Sequence, residues 1–182
     1  MHMPSPNTVA PAQGLYQPDE FKDNCGFGLI AHMKGDASHH LVKTAIHSLS
    51  CMTHRGGIAA DGKTGDGCGL LLAMPKAFFR EEAKKISDVT LSEVFAVGTV
   101  FLNLDPAIAA HSKQVLTKEI ESEGCKVLGW RVVPTNNDAL GSIAMQSLPA
   151  FEQIIVNCPM GVTEVEFNRK LFMARRRAEQ QL

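Results

Sequence analysis

Apolar and polar positions along the 182-residue chain predict a mixture of short strands and helices. Short apolar runs bounded by glycine, proline or polar residues predict buried strands, whereas an apolar residue at every third or fourth position predicts an amphipathic helix. The predicted strands are residues 25–33, 68–74, 94–103, 127–133 and 151–157, and the predicted helices are residues 39–53, 75–85, 106–123, 138–145 and a last helix after Thr163. Because crossover helices do not separate the strands regularly, this order favours a layered α+β fold over a Rossmann-type sheet.

The ends of two helices carry clear sequence signals. Pro75 and Pro106 each stand where a first helical turn tolerates proline. Asp105 is placed to cap the second of these helices, and Gly124 is placed to end it. The chain between the first two predicted helices, residues 58–67, is rich in glycine and aspartate and is predicted to form turns.

The last helix begins with a capping box, in which Thr163 and Glu166 have the required spacing. Its apolar residues are predicted to face the core, and they are Phe167, Leu171, Phe172 and Ala178. Arg175–Arg177 follow as a charged run that is usually a solvated helix face. The helix predicted at residues 39–53 is apolar enough that we expect it to be buried against a sheet.

Composition narrows the class of protein. The length suits one domain with a core of its own. The net charge of -1 gives none of the basic surface that nucleic-acid-binding proteins show. No apolar run approaches the ~20 residues that span a bilayer, and the proline-rich leader at residues 1–22 lacks the apolar core of a signal peptide. We therefore expect neither nucleic acid nor a membrane as a partner.

The five cysteines contain no CxxC pair. An odd number of cysteines without paired spacing argues against a disulfide framework and favours a reducing cytoplasm as the location. The histidines do not fall at ligand spacing with the cysteines, so a structural metal is not expected.

Cys25 is the strongest candidate for chemistry, although a free cysteine is more often a small apolar core residue. If residues 1–24 were removed, the thiol and a free α-amine would belong to one residue. The pKa of such an amine, about 7.7–8.0, suits it to take the thiol proton near neutral pH. Gly26 and Gly28 would leave room for a substrate over the strand. Cys25 would then need no histidine partner.

Arg55 is the second candidate, in the run His54-Arg55-Gly56-Gly57. It is either a surface cation at a helix C-terminus or a rigid hydrogen-bond donor that orients the N-terminal residue. Gly56 would let the backbone pack closely there.

The third candidate is the glycine-rich loop that contains Thr64, Gly65 and Asp66. It lacks the GxxxxGK[ST] spacing of a phosphate-binding loop, and a predicted helix rather than a strand precedes it. We therefore interpret it as a tight turn that supports the active site rather than as a nucleotide site.

Together these motifs closely resemble the N-terminus of the large (alpha) subunit of bacterial glutamate synthase, which belongs to the class II glutamine amidotransferases. The resemblance covers nearly the whole chain after about Leu15. The segments that carry it are DNCGFGLIAH (23–32), HRGG (54–57), ADGKTGDGCGLL (60–71), FLNLDP (101–106), GWRVVPTN (129–136) and LFMARRR (171–177).

The resemblance implies the fold and the reaction. The fold would be that of an N-terminal nucleophile hydrolase, a four-layer αββα sandwich that is incomplete in this chain. Residues 1–24 would be a propeptide, and residues 25–182 would be the N-terminal part of the glutaminase domain. The Cys25 thiolate would attack the side-chain amide of L-glutamine and release ammonia, and water would then hydrolyse the γ-glutamyl thioester. Arg55 matches the family's arginine that holds the N-terminal cysteine.

For the complete enzyme the resemblance implies further domains and cofactors, although none within this segment. Ammonia would pass to a synthase domain that uses 2-oxoglutarate and FMN, and an iron–sulfur cluster and a small NADPH-oxidising subunit would supply electrons. The family's later oxyanion-hole and glutamine-binding segments are not in this sequence, so we expect the chain alone to have little glutaminase activity. Two alternatives stay open: another class II amidotransferase with a different acceptor, and a non-catalytic truncated fragment or interaction module.

Overall fold

The computed structural model describes residues 26–52, 57–65, 67–88 and 90–182. The regular elements are α1 (His39–Cys51), α2 (Lys76–Ile86), β1 (Phe95–Leu102), α3 (Pro106–Ser122), β2 (Lys126–Val132), a 3₁₀ turn (Asn137–Ala139), α4 (Ser142–Gln146), β3 (Ala150–Asn157) and α5 (Glu164–Glu179). Of the described residues, one compact unit contains 26–52, 57, 65 and 67–70, and a second contains 58–64, 71–88 and 90–182. The combination of helices with an antiparallel sheet confirms the α+β class.

The second unit is built on a three-stranded sheet in the order β1-β3-β2, with both pairs antiparallel. Because β3 is central, its backbone groups pair on both sides, which explains why its residues 154–156 are the most buried part of the sheet. The register of β2 shifts between Val127 and Gly129. Gly129 has a positive φ of 150°, and a Cβ there would collide with the side chain of Ile86. Glycine is thus required where α2 crosses this bulge.

Apolar clusters cover both faces of the sheet. Strand residues alternate between the faces, so Ile155 points to one cluster while Ile154 and Val156 point to the other. The first cluster joins α2 to the sheet through Phe79, Ala83, Leu91, Phe95, Leu128 and Ile155. The second joins α3 and α5 to the sheet through Ile120, Cys125, Ile154, Val156, Phe167 and Ala174. The second unit therefore has three layers, with helices on both sides of one sheet.

The predicted N-caps of α3 and α5 are confirmed, whereas Pro75 is the N-cap of α2 and the helix begins one residue later, at Lys76. The Asp105 carboxylate accepts hydrogen bonds from the N–H groups of Ala107 and Ile108 at 2.8 and 3.2 Å. The Thr163 hydroxyl accepts one from the N–H of Glu166 at 3.3 Å. These side chains satisfy N–H groups that a first helical turn leaves without intrahelical partners.

Two predicted strands are wrong. Residues 26–33 and 68–74 form no regular strand, and their apolar side chains are largely exposed, as in Phe27 (91%) and Leu71 (99%). A strand requires a neighbouring strand with which it forms a ladder, and neither segment is part of a ladder in the described residues. The helix predicted at 39–53 forms as α1, but none of its described residues is fully buried, which corrects the expected burial against a sheet.

One predicted core residue of α5 is also wrong. Phe167, Ala174 and Ala178 are buried and Leu171 is partly buried, whereas Phe172 is 53% exposed. Phe172 comes five residues after Phe167. At 3.6 residues per turn, this spacing places the two side chains about 140° apart around the helix, so Phe172 lies away from the buried stripe. The guanidinium of Arg175 lies over its ring at 5.4 Å instead.

Candidate functional site

The described residues include part of the candidate site. Cys25, Arg55, Gly56 and Asp66 lie outside them. Thr64 and Gly65 are described, so the structure shows how the glycine-rich loop is held where it precedes Asp66.

Asp61 organises this loop. Its Oδ1 accepts hydrogen bonds from the backbone N–H groups of Lys63 at 3.0 Å and Thr64 at 2.8 Å. Its Oδ2 accepts a hydrogen bond from the hydroxyl group of Thr64 at 2.6 Å. The N–H of Ala59 also donates to the carbonyl of Thr64 at 2.7 Å. This is the local pattern by which aspartate stabilises a turn, and it fixes the backbone from residue 59 to residue 64.

The same two side chains attach the loop to α4. The N–H of Ile143 donates to Oδ2 of Asp61 at 3.0 Å, and the N–H of Ala144 donates to Oγ1 of Thr64 at 3.1 Å. The N-cap residue of α4 is Gly141, which offers no side-chain cap. The N–H groups of the first turn of α4 are therefore satisfied by the side chains of Asp61 and Thr64, which lie 82 and 80 positions earlier in the sequence than their partners.

Gly141 makes this attachment geometrically feasible. A Cβ at that position would collide with Oδ2 of Asp61, Oγ1 of Thr64 and the backbone nitrogen of Thr64. Only the absence of a side chain lets the loop approach the start of α4 so closely.

The hydrogen bonds hold the pKa of Asp61 well below its usual range. The largest cause is the bond from the backbone N–H of Ile143, followed by the hydroxyl of Thr64 and the N–H groups of Thr64 and Lys63. Donors that point at a carboxylate favour its charged form. Asp61 is therefore an anion whose charge is satisfied by the loop and by α4.

Substitution of Asp61 by asparagine should lower the melting temperature at neutral pH. A carboxylate whose pKa is lower in the folded state contributes stability that is fully present above the unfolded pKa, about 3.9, and is lost as pH falls through the folded pKa. The difference between Asp61→Asn and the parent should thus shrink as the pH falls below about 4, as measured by circular dichroism melts across pH. The matched control is Asp88→Asn, which changes an exposed aspartate. Equal melting of Asp61→Asn and parent at neutral pH would contradict the anchoring role.

Thr64 has a defined role in the loop. Its hydroxyl donates to Asp61 and accepts from Ala144, so this oxygen holds the turn on α4. Sequence reasoning chose Thr64 but missed Asp61 as its partner. The available signal was the Asp-x-x-Thr spacing inside a glycine-rich turn. Among the described residues, a Cβ at Gly65 would meet the carbonyl oxygen of Gly57 at an ordinary contact distance of 3.5 Å.

The part of the chain that the structure describes offers neither a metal site nor a membrane-spanning helix. There, no group of three or more His, Cys, Asp and Glu side chains could hold a metal ion. An iron–sulfur cluster requires such a group of thiolates, so it does not fit these residues. The described cysteines, Cys51, Cys68, Cys125 and Cys158, are free thiols. Among the same residues, no helix combines the length and the apolar character needed to cross a bilayer.

Comparison with known proteins gives consistent matches. The family model of the class-II glutamine amidotransferases matches residues 25–182. The chain is 40% identical over 174 residues to the glutamate synthase (NADPH) large chain of Bacillus subtilis, which covers 95% of this chain and 11% of that protein. It is 38% identical over 168 residues to the corresponding large chain of Azospirillum brasilense, covering 90% and 11%. It is 38% identical over 160 residues to ferredoxin-dependent glutamate synthase 2 of Synechocystis, covering 86% and 10%. The chain thus spans about a tenth of the length of these curated relatives.

Proposed function

Because the chain belongs to the class-II glutamine amidotransferases, we propose that it is the nucleophile-bearing part of the glutaminase domain of a glutamate synthase large subunit. The observation that carries this proposal is where the family match begins. It starts at Cys25, the residue that sequence reasoning chose as the nucleophile, and it excludes the proline-rich leader. The relatives named glutamate synthase favour this function over a non-catalytic interaction module.

The proposed reaction uses the amine of Cys25 as the base for its own thiol. After removal of residues 1–24, the α-amine takes the thiol proton and the thiolate attacks the side-chain amide carbon of L-glutamine. Proton return to the leaving nitrogen releases ammonia and leaves a γ-glutamyl thioester. Water attacks the thioester carbon, which releases glutamate and restores the thiol. While residues 1–24 remain attached, the nitrogen is part of a peptide bond and cannot accept the proton.

Arg55 and Gly56 are proposed to orient the N-terminal cysteine, and Thr64, Gly65 and Asp66 are proposed to form the supporting loop. The anchoring of residues 59–64 supports the second part of this proposal. Asp61 and Thr64 fix the backbone of residues 59–64, which directly precede Gly65 and Asp66 in the sequence. A rigid support of this kind holds reacting groups in productive geometry.

The larger assembly is part of the same proposal. The three-stranded sheet would belong to one of the two sheets of a four-layer αββα sandwich. Ammonia would pass to synthase domains that use 2-oxoglutarate. FMN, an iron–sulfur cluster and NADPH with a small subunit would serve those domains. None of these cofactors is assigned to residues of this chain. A cytoplasmic location stays a prediction from the odd, unpaired set of cysteines.

Mass spectrometry of the active full-length large subunit that contains this sequence tests the proposal. We expect a mature N-terminus at Cys25 and, after treatment with an electrophilic glutamine analogue, one covalent adduct on that residue. Cys51→Ser should keep the adduct, because Cys51 lies on α1 and has no assigned role, whereas Cys25→Ala should lose it. An active enzyme with residues 1–24 still attached, or an adduct on another cysteine, would refute the mechanism. If the enzyme transferred the ammonia to an acceptor other than 2-oxoglutarate, the chain would instead belong to a different class II amidotransferase.

A further inference from the structure

Two cysteines outside the proposed catalytic machinery lie in the same apolar cluster at one end of the sheet. In the pairing of β2 with β3, Val127 is opposite Val156 and Lys126 is opposite Asn157. Extending this register by one residue sets Cys125, just before β2, opposite Cys158, just after β3. The chain therefore brings together two thiols that are 33 positions apart in the sequence.

The backbone geometry at this pair suits a disulfide. The N–H of Cys158 donates to the carbonyl of Val94 at 3.3 Å, so the backbone of Cys158 bonds toward β1 rather than toward β2. On the β2 side, the Cys125–Cys158 position is consequently a non-hydrogen-bonded pair. Opposing residues of that kind have Cα atoms about 4.5 Å apart, and disulfides span Cα separations of about 4.4–6.8 Å.

Both side chains also lie in the same apolar cluster. Cys125 is 4% exposed and belongs to the cluster that contains Val156 and Phe167, and Cys158 is partly buried and packs against that cluster. The Cys158 thiol donates to the carbonyl of Val162 at 3.5 Å. Burial raises the pKa of both thiols, and the nearby Cys158 sulfur contributes to the increase at Cys125. Both groups are thus neutral thiols near pH 7 and react slowly compared with an exposed thiolate.

We propose that Cys125 and Cys158 form a dithiol that a two-electron oxidant such as hydrogen peroxide closes into a disulfide. This inference does not rest on the proposed glutaminase function. The sulfur of the more exposed Cys158 attacks a peroxide oxygen, the O–O bond breaks, and the thiol proton joins the departing hydroxide, so that a sulfenic acid and water form. The Cys125 sulfur then attacks the sulfenic sulfur, the S–S bond forms, and a second water leaves. Two thiols are oxidised and one peroxide is reduced to two waters.

The disulfide would close a loop that contains β2, α4 and β3. It would join the turn between α3 and β2 to the turn between β3 and α5. Because a cross-link restricts the unfolded chain more than the folded one, the oxidised form should resist denaturation better than the reduced form. A thiol reductant should reverse the change.

Peptide mapping of the intact protein after exposure to hydrogen peroxide tests this site. We expect a linked pair of peptides containing Cys125 and Cys158, the loss of two hydrogens from the protein mass, and a higher urea midpoint than before oxidation. The comparison is made between oxidised and reduced forms of each variant, so a small effect of a substitution on folding does not obscure it. Cys51→Ser, at an exposed thiol, should keep the oxidative shift in urea midpoint, whereas Cys158→Ser should lose it. The absence of the linked peptides, or a disulfide that uses Cys51 or Cys68 instead, would overturn the proposal.

Discussion

Replacement of Cys25 by alanine in the complete large subunit should reduce glutamine-dependent glutamate synthesis by roughly 10⁴-fold or more, the scale of losing a catalytic nucleophile. Ammonia-dependent synthesis should stay near the parent rate, since free ammonia bypasses the thiol. The physical reason is that the thioester divides amide hydrolysis into two easier steps, and alanine has no atom that forms it. Steady-state rates with glutamine and with ammonium salt as alternative nitrogen donors measure both quantities on one preparation.

The control for this prediction is Cys51→Ser, which removes another thiol of the same chain. Cys51 is exposed on α1, and its sulfur lies 3.8 Å from Nε2 of His47. Because Cys51 has no proposed role in the reaction, the Cys51→Ser substitution should leave both rates nearly unchanged. Retained glutamine-dependent activity in Cys25→Ala would rule out Cys25 as the nucleophile. Loss of both activities would show instead that the substitution damages the whole protein, and the ammonia rate separates these two outcomes.

Replacement of Phe167 by alanine should destabilise the chain by about 3–5 kcal/mol, the usual cost of truncating a fully buried phenylalanine. Phe167 is 1% exposed and lies where α5 meets the cluster of Ile120, Ile154 and Val156. Its removal loses apolar burial and leaves a cavity that the sheet and helices cannot fill completely. Urea unfolding followed by circular dichroism measures the change in the free energy of unfolding.

Phe172→Ala on the same helix is the matched control for size and chemistry. Since Phe172 is half exposed and contacts Arg175, its truncation should cost less than about 1 kcal/mol. Equal destabilisation by the two substitutions would show that the packing of α5 on the sheet is not as described. A variant of Phe167 too unstable to purify would agree with the larger effect, and Phe167→Leu then provides a measurable intermediate.

The helices were the most predictable part of the fold. Asp105 and Thr163 identify helix starts because a capping side chain bonds to N–H groups two or three residues later, which is a purely local interaction. The strands β1, β2 and β3 were also found, since each is a short apolar run that pairs within the described sheet. The segments 26–33 and 68–74 carry the same apolar pattern without a described partner strand, and the pattern alone could not reveal that difference.

The candidate site was predictable only in part. Cys25, Arg55, Gly56 and Asp66 were chosen from motifs and stay predictions, because they lie outside the described residues. The match of residues 25–182 to the class-II glutamine amidotransferases agrees with the family that those motifs indicated. The anchoring of the loop on α4 could not be foreseen, since Asp61 and Ile143 are 82 positions apart and no local pattern connects them.

Local bonding, periodicity and motifs of consecutive residues were enough to predict the α+β class, the ends of the helices and the family. Three features become visible in the folded chain alone: Asp61 and Thr64 cap a distant helix, Gly141 has no room for a side chain, and Cys125 and Cys158 share one apolar cluster at the ends of β2 and β3. Those features depend on which segments pack together and in which register. That arrangement follows from the burial of the whole apolar core rather than from any one stretch of chain.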